Sequence, residues 1–345
     1  MAVSLAPITV LTSAPTSAST PAPASAPGDQ RVTVLSANIH GGEHNFGTET
    51  NPDVQANPAP LAAVRTVINN RDVDIALLQE VCGNQFQALV DGAPEGWHWT
   101  FSKQAPTPRL TALGMTTSCP SDGWIGNVVG SRYALSAVDS YLLPRGVDEP
   151  DCLNTKRACA FDYPMVCANV GVTGLAAGDV RACSTHLMAG WVASSPGPEV
   201  RPDQTARIRY LTKQWIDAGK SVIVGGDFNT APHGDPLDVI YDLASPGAPT
   251  SGAGNFQEID QVSGGAAVRG GGFTHQEEDS TPWDRNPNDT VPYNPSATMK
   301  LDYIFFSKNR TAPLLNTPAN AGLTAVVKNN YSDHEILVGT ATIAN

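Results

Sequence analysis

Residues 221–229 read SVIVGGDFN, Ser221 to Asn229, and their order decides how the chain is read. Val222, Ile223 and Val224 make a short unbroken apolar run rich in β-branched residues, which predicts a buried strand. Gly225 and Gly226 follow and permit tight backbone geometry that a side chain forbids. Asp227 and Asn229 come directly after. Polar groups at the end of a buried strand are where a rigid scaffold aims chemistry into a cleft.

Working outward, Arg201–Ala218 predicts an amphipathic helix, with Ile208, Leu211 and Trp215 on one face and Gly219 closing it. Asp235–Ala244, with Pro236 just inside its start, predicts a second, short helix. Further upstream, Arg31–Asn38 alternates as a strand, Pro60–Asn70 is helical, and Asp74–Gln79 (DIALLQ) is a buried strand. Met165–Val172 and Val180–Leu187 predict adjacent strands around the glycines near Gly174–Gly178. Leu301–Phe306 and Glu335–Ile343 are late strands, whereas Ala244–Pro295 is rich in Gly, Pro and Asn and is expected to be mostly loop. Strands with few interleaved helices fit two packed sheets with helices outside.

The same strand-end placement recurs. Asn38 ends the first strand, Glu80 ends DIALLQ, and His186 ends VRACSTHL. Asp302 opens LDYIFF, and Asp333 with His334 launches the last strand. Each alone reads as a cap, a turn residue or a solvated end. Asn, Glu, His, Asp-x-Asn, Asp and Asp-His beside successive buried strands make a set that chance does not readily supply.

The segments VLSANIH, DIALLQEV, IGNVVGSRYAL, STHL, VIVGGDFNTAP, LDYIFF and SDHEILV resemble, in order, the motifs of the endonuclease/exonuclease/phosphatase superfamily. The resemblance runs from about Arg31 to Ile343. It implies an α/β fold of deoxyribonuclease-I-like type, a four-layer sandwich of two packed mixed β-sheets flanked by helices. It also implies hydrolysis of phosphodiesters assisted by a divalent ion, Mg2+ first, with Mn2+ or Ca2+ as alternatives. In that scheme Glu80 is the primary metal ligand, with Asn38 and Asp333 near the ion or its waters. Asp227 orients or deprotonates the attacking water, and Asn229 holds the phosphate. His334, partnered by Asp302, donates to a phosphoryl oxygen. His186 assists the leaving group, and Asn127 braces the site. One departure stands out. The pancreatic-type deoxyribonucleases pair the acid histidine with a second glutamate, and the comparable stretch here, WTFSKQAP (Trp99–Pro106), has no acid. A Tyr marks the repair branch where His186 falls, and the basic signature of the 5-phosphatase branch is missing after the GDFN turn.

Composition narrows the partners. A formal charge of −12 argues against a broad basic face that grips nucleic acid through counterion release. A nuclease needs only local positive charge and an ion. No apolar stretch is long enough to span a membrane. The six cysteines, Cys82, Cys119, Cys152, Cys159, Cys167 and Cys183, lack zinc-site spacing and suit disulfides in an oxidising compartment. Cys167 and Cys183 lie nearly symmetrically about the Gly174–Gly178 turn and are expected to pair. Chain order then suggests Cys152–Cys159 and Cys82–Cys119. Residues 1–30 are rich in Ala, Ser, Thr and Pro and read as a processed leader and linker. Residues 31–345 then form one catalytic domain of a secreted, monomeric enzyme. A nucleic acid substrate is favoured, with His40, Arg132, Lys156 and Arg157 as candidate phosphate contacts. The alternative is a phospholipase C or sphingomyelinase entering lipid through Trp191, Val192, Trp283 and Tyr293. A phosphomonoesterase and an inactive binding module on the same fold complete the readings. Asn288, Asn309 and Asn330 match N-x-S/T.

Overall fold

Strand β1 (Gln30–Asn38) shows how the layers follow from the residue pattern. Its Val32 and Val34 enter one apolar cluster, and Leu35 and Ala37 enter another on the opposite face. In chain order the remaining elements are α1 (Ala59–Asn70), β2 (Ile75–Cys82), α2 (Gly83–Asp91), β3 (His98–Gln104), β4 (Ile125–Ser131) and β5 (Leu135–Leu143). Then come β6 (Tyr163–Val170), β7 (Val180–His186), α3 (Arg201–Asp217), β8 (Ser221–Asp227), a 3-10 turn (Asp235–Val239), β9 (Phe256–Glu258), β10 (Val262–Ser263) and β11 (Ala266–Ala267). The last are β12 (Asp302–Ser307), β13 (Thr324–Val327) and β14 (Ile336–Ile343). This computed structural model describes residues 28–40, 59–104, 119, 125–145, 162–188, 200–242, 254–260, 262–263, 266–267, 273–275, 299–311, 324–327 and 332–345.

Two six-stranded mixed sheets result, with strand orders β13-β14-β1-β2-β4-β3 and β5-β6-β7-β8-β12-β9, beside a small β10–β11 hairpin. Among the described residues each sheet has one parallel pair, β1 with β2 and β7 with β8. A parallel pair needs a crossover, and α1 and α3 provide it in the two cases.

Three apolar clusters fill the spaces of a four-layer α/β sandwich. Val32, Val34, Ile75, Leu77, Ile223 and Ile304 meet between the sheets. Ile208 and Leu211 of α3 cover Val222, Val224 and Phe305 on one outer face. Leu61 and Val64 of α1 cover Ala76, Leu78 and Val338 on the other. Central strands are therefore apolar on both faces, which is why their sequences run continuously rather than alternate. Each aliphatic side chain fully buried this way contributes about 1.5–3 kcal/mol.

The two glycines of β8 are set by close approach. A Cβ on Gly225 would lie 2.6 Å from Leu77 Cδ1 of the facing sheet. A Cβ on Gly226, whose φ is +151°, would lie 1.8 Å from the Thr185 carbonyl oxygen.

Cys167 and Cys183 face one another in the β6–β7 register and are disulfide-bonded, as are Cys82 and Cys119. Cys152 and Cys159 lie outside the described residues, as do residues 1–27 of the expected leader. The helix expected over Asp235–Ala244 stops as the 3-10 turn at Val239. Tyr241 instead bridges to Phe256, and the Asp242 N–H donates to the Phe256 carbonyl, so the backbone joins β9 rather than a further helical turn. No described helix is long and apolar enough to cross a membrane.

Candidate active site

Both parallel pairs end at the same place. Asn38 aligns with Gln79 at the close of β1 and β2, and His186 aligns with Asp227 at the close of β7 and β8. The antiparallel neighbours contribute from their starts: Asp302 opens β12 opposite Asp227, and His334 precedes β14. Below these residues Gln79 Nε2 donates 3.0 Å to Ser184 Oγ, and Ser184 Oγ donates 3.0 Å to the Leu78 carbonyl. This buried polar floor ties one sheet to the other.

Glu80 reaches the cleft through a register shift. Leu78 pairs with Val128 but Val81 pairs with Gly126, so β2 carries one extra residue at Gln79–Glu80. Glu80 takes a left-handed φ of 55°, a conformation that costs a non-glycine residue about 1–2 kcal/mol. Asn38 Nδ2 donates 2.9 Å to Glu80 Oε1 and 3.2 Å to Asp227 Oδ2. The Asn38 oxygen is engaged elsewhere, accepting the His40 N–H at 2.9 Å. As placed, Asn38 orders two carboxylates by donating to them; its oxygen is not offered to an ion.

Asp227 is the hub. It is 1% exposed. Its Oδ2 lies 3.4 Å from His186 Nε2 and 3.6 Å from His334 Nε2, while Oδ1 accepts the Asn229 N–H at 2.8 Å. Burial pushes the Asp227 carboxyl above its ordinary range, with Asp302 adding to this, and His334 and His186 oppose the rise. Asn229, also left-handed at φ 47°, donates its amide to the Leu187 carbonyl at 3.0 Å and lies 3.1 Å from His186 Nε2. His186 Nδ1 has no hydrogen-bond partner among the described residues and lies 3.9 Å from Glu80 Oε1. The arrangement bears on the missing second glutamate: Asn229 and Asp227 flank His186 instead.

His334 is held from the other side. Its Nδ1 donates 2.8 Å to Asp302 Oδ2, and its backbone N–H donates to Ser332 Oγ, which donates in turn to the Asn38 carbonyl. Burial works against charge on the ring, but the carboxylates of Asp302, Asp227 and Asp333 outweigh it and hold His334 up to about 10. It is an imidazolium at neutral pH. Asp333 turns Oδ1 to His40 Nδ1 at 3.0 Å and Oδ2 toward His275 Nε2 at 3.7 Å. Burial raises its carboxyl, yet the charges of His40 and His334, helped by hydrogen bonding, place it well below the ordinary carboxylate range.

The structure thus brings together Asn38, Glu80, His186, Asp227, Asn229, Asp302, Asp333 and His334. Asn127 stands apart: its amide donates 2.7 Å to the Pro164 carbonyl of the opposite sheet, bracing the sandwich beside the β2 bulge. Arg132 is corrected as a phosphate contact. It pairs with Asp74, which accepts from Thr33 N at the opposite end of β1 and β2 from Asn38 and Glu80. Lys156, Arg157, Trp191, Val192, Trp283, Tyr293, Asn288 and Asn330 lie outside the described residues. The segment Phe273–His275 falls in the stretch expected to be mostly loop. Its Thr274 Oγ1 accepts the N–H groups of Leu301 and Asp302, and His275 bridges to Met299 and His334. A threonine and a histidine between glycines and a polar run carry no periodic signal that would have marked them.

A family model described as "Endonuclease/Exonuclease/phosphatase family" matches residues 35–334. Among solved structures, an endonuclease/exonuclease/phosphatase from Beutenbergia cavernae is 21% identical, with TM-score 0.55, covering 91% of this chain and 72% of that one. One from Bacteroides vulgatus is 17% identical, with TM-score 0.54 and coverages of 91% and 99%. A mannosyl-6-phosphatase from Bacteroides thetaiotaomicron is 13% identical, with TM-score 0.53 and coverages of 90% and 99%. At these identities the likeness is one of fold. No curated protein matches the chain.

Proposed function

The chain belongs to the endonuclease/exonuclease/phosphatase family of phosphoester hydrolases, and from that premise we propose that it is a secreted, divalent-metal-dependent phosphodiesterase that cuts nucleic acid. The observation that carries the reading is the convergence on Asp227 Oδ2 of Asn38, His186 and His334 at 3.2, 3.4 and 3.6 Å. A buried carboxylate surrounded by donors, with its basicity raised by burial, is suited to take a proton from water. The His334 imidazolium, fixed by Asp302, presents positive charge where the equatorial oxygens of an attacked phosphate gain negative charge. Asn229 supplies a further amide donor, and His186 stands ready to exchange a proton with the leaving oxygen. Water attacks phosphorus directly, so no covalent intermediate is required.

The donor set at Glu80 fits a hard divalent ion. Its carboxylate is 21% exposed, takes one bond from Asn38, and has no hydrogen bond to its second oxygen among the described residues. Oxygen donors of this kind suit Mg2+, with Mn2+ or Ca2+ as alternatives. The ion, when bound, supplies positive charge to the phosphate and acidity to its waters.

Phe273, 57% exposed beside His275 at the rim of the cluster, favours a nucleic acid substrate. An exposed ring beside a phosphate-cutting centre stacks on bases, worth about 1–3 kcal/mol per base. The two disulfides among the described residues fit an exported enzyme, and we take residues 31–345 as one monomeric catalytic domain. The test is a side-by-side panel of plasmid DNA, RNA and sphingomyelin, each with Mg2+ and with chelator. Chelator-sensitive cleavage of nucleic acid is expected, abolished in His334→Ala and Asp227→Ala at nearly unchanged melting temperature. Release of phosphocholine instead would transfer the reading to lipid. Turnover of phosphomonoesters alone would sink the diesterase assignment, and no turnover at all would favour a binding module.

A further inference from the structure

His275 lies outside the hydrolytic set. Its backbone is fixed: the His275 N–H donates 2.8 Å to the Met299 carbonyl, Met299 N–H donates 3.1 Å back, and Glu335 N–H donates 2.7 Å to the Thr274 carbonyl. Its ring is 17% exposed, stands edge-on to the His334 ring at 4.6 Å, pairs through Nε2 with Asp333, and leaves Nδ1 without a hydrogen-bond partner among the described residues. Nδ1 is buried, and Nε2 faces Asp333 Oδ2 at 3.7 Å. A largely covered imidazole whose backbone is fixed, with Nδ1 unsatisfied and Nε2 turned to a carboxylate, is a side chain placed to bind.

The neighbours are ligands. Each of His275, Asp333 and His334 offers one donor atom, and these atoms lie within 4.8 Å of one another. The contacts along the set are 3.7 Å from His275 Nε2 to Asp333 Oδ2 and 4.0 Å from Asp333 Oδ1 to His334 Nε2. Donors placed roughly 2.0–2.1 Å from one tetrahedral ion sit about 3.3 Å apart, so a small inward movement of side chains closes the set. His40, 3.0 Å from Oδ1, orients the carboxylate and leaves Oδ2 toward His275, as an outer partner of a metal ligand does.

We propose that His275, Asp333 and His334 form a second cation site, selective for a borderline ion such as Zn2+ and distinct from the oxygen site at Glu80. Two imidazoles and one carboxylate suit Zn2+ and Co2+ better than Mg2+ or Ca2+. The ion enters as the His334 ring gives up a proton, because a ligating imidazole must be neutral. Its occupation takes His334 away from the phosphate, so the site is inhibitory; this consequence alone rests on the hydrolytic reading above, whereas the binding does not.

The experiment uses the full chain, stripped with chelator and titrated with Co2+ and then Zn2+ in the absence of substrate. A visible d–d band of imidazole-bound Co2+, bleached by Zn2+, is expected in the wild type and in Glu80→Gln. In His275→Gln and His275→Ala the Zn2+ dissociation constant should rise about tenfold or more. Paramagnetically shifted imidazole N–H resonances of Co2+-loaded wild type test the same point without any variant. Absence of the band and of those resonances overturns the site. So does an unchanged Zn2+ affinity in the His275 variants, or loss of the band in Glu80→Gln. If no phosphodiester is cleaved while Co2+ binds as described, the hydrolytic reading fails and the cation site stands.

Discussion

Replacing Asp302 by Asn removes a charge and almost no volume. His334 stands at about 10 against an ordinary 6.5, a rise of roughly 3.5 units, or on the order of 5 kcal/mol shared among its carboxylates at about 1.36 kcal/mol per unit. Asp302 is the nearest, at 2.8 Å, against 3.6 Å for Asp227 and 4.0 Å for Asp333. It therefore carries the largest share, and losing its charge should lower the His334 pKa by roughly 1–2 units. The Asn oxygen still accepts from Nδ1, so the ring keeps its tautomer. The linkage follows from the sign of the shift. A histidine raised on folding contributes stability that is fully present below 6.5 and disappears as pH rises through about 10. Asp302→Asn should accordingly be less stable by about 1–3 kcal/mol at neutral pH, the deficit shrinking toward pH 10. NMR titration of the His334 ring in chelated protein reads the pKa, and denaturant melts across pH 6.5–10 read the stability. An unmoved His334 pKa, or a deficit independent of pH, would refute the charge argument and leave packing as the cause.

Gly226→Ala should cost about 3 kcal/mol or more and shift the denaturant midpoint sharply, because its Cβ would sit 1.8 Å from the Thr185 carbonyl oxygen; a near-wild-type midpoint would mean the strands separate easily. Replacing both Cys167 and Cys183 by Ala opens a link of sequence separation 16 and should lower stability by about 3 kcal/mol, read from melts with the other bridge intact. Glu80→Gln should raise the Mg2+ concentration needed for half-maximal activity before it lowers the maximal rate, and an unchanged requirement would point to another ligand.

The layers were legible wherever a strand is buried on both faces. DIALLQ, SVIV and LDYIFF are short apolar runs because each contributes to an inter-sheet cluster and to an outer cluster. Edge strands were not legible. β5 is exposed over much of its length, and β13 is only partly buried, so neither bears a strong pattern. The site residues were readable where they border such runs, Glu80 and Asp227 at the end of one and His334 just before one. His275 was not, because only tertiary pairing with Met299 and His334 brings it to the cleft. Asn38 could be placed from sequence, but which end of its amide meets Glu80 is decided by the His40 N–H.

The position of Glu80 joins these levels. Along β2, Ile75 and Leu77 face the other sheet while Ala76 and Leu78 face α1. Strict alternation would continue with Gln79 inward and Glu80 outward, among apolar side chains of the helical layer. The extra residue opposite Val128–Gly126 breaks the phase, so Gln79 reaches Ser184 across the sheets, Glu80 reaches Asn38, and Val81 returns to the outer cluster. A single bulge thus lets one strand end supply both the polar floor and the exposed carboxylate without burying an unpaired charge. The second sheet solves the same problem differently, with Gly226 at φ +151° and Asn229 at φ 47° bending the chain around Asp227. Neither sheet holds a complete centre, since Asn38 and Glu80 belong to one and His186 and Asp227 to the other. Hydrolytic geometry is therefore a property of how the sheets pack, and substitutions at Leu77 or Gly225, where the facing sheets touch, should reach the cleft without contacting any of its residues.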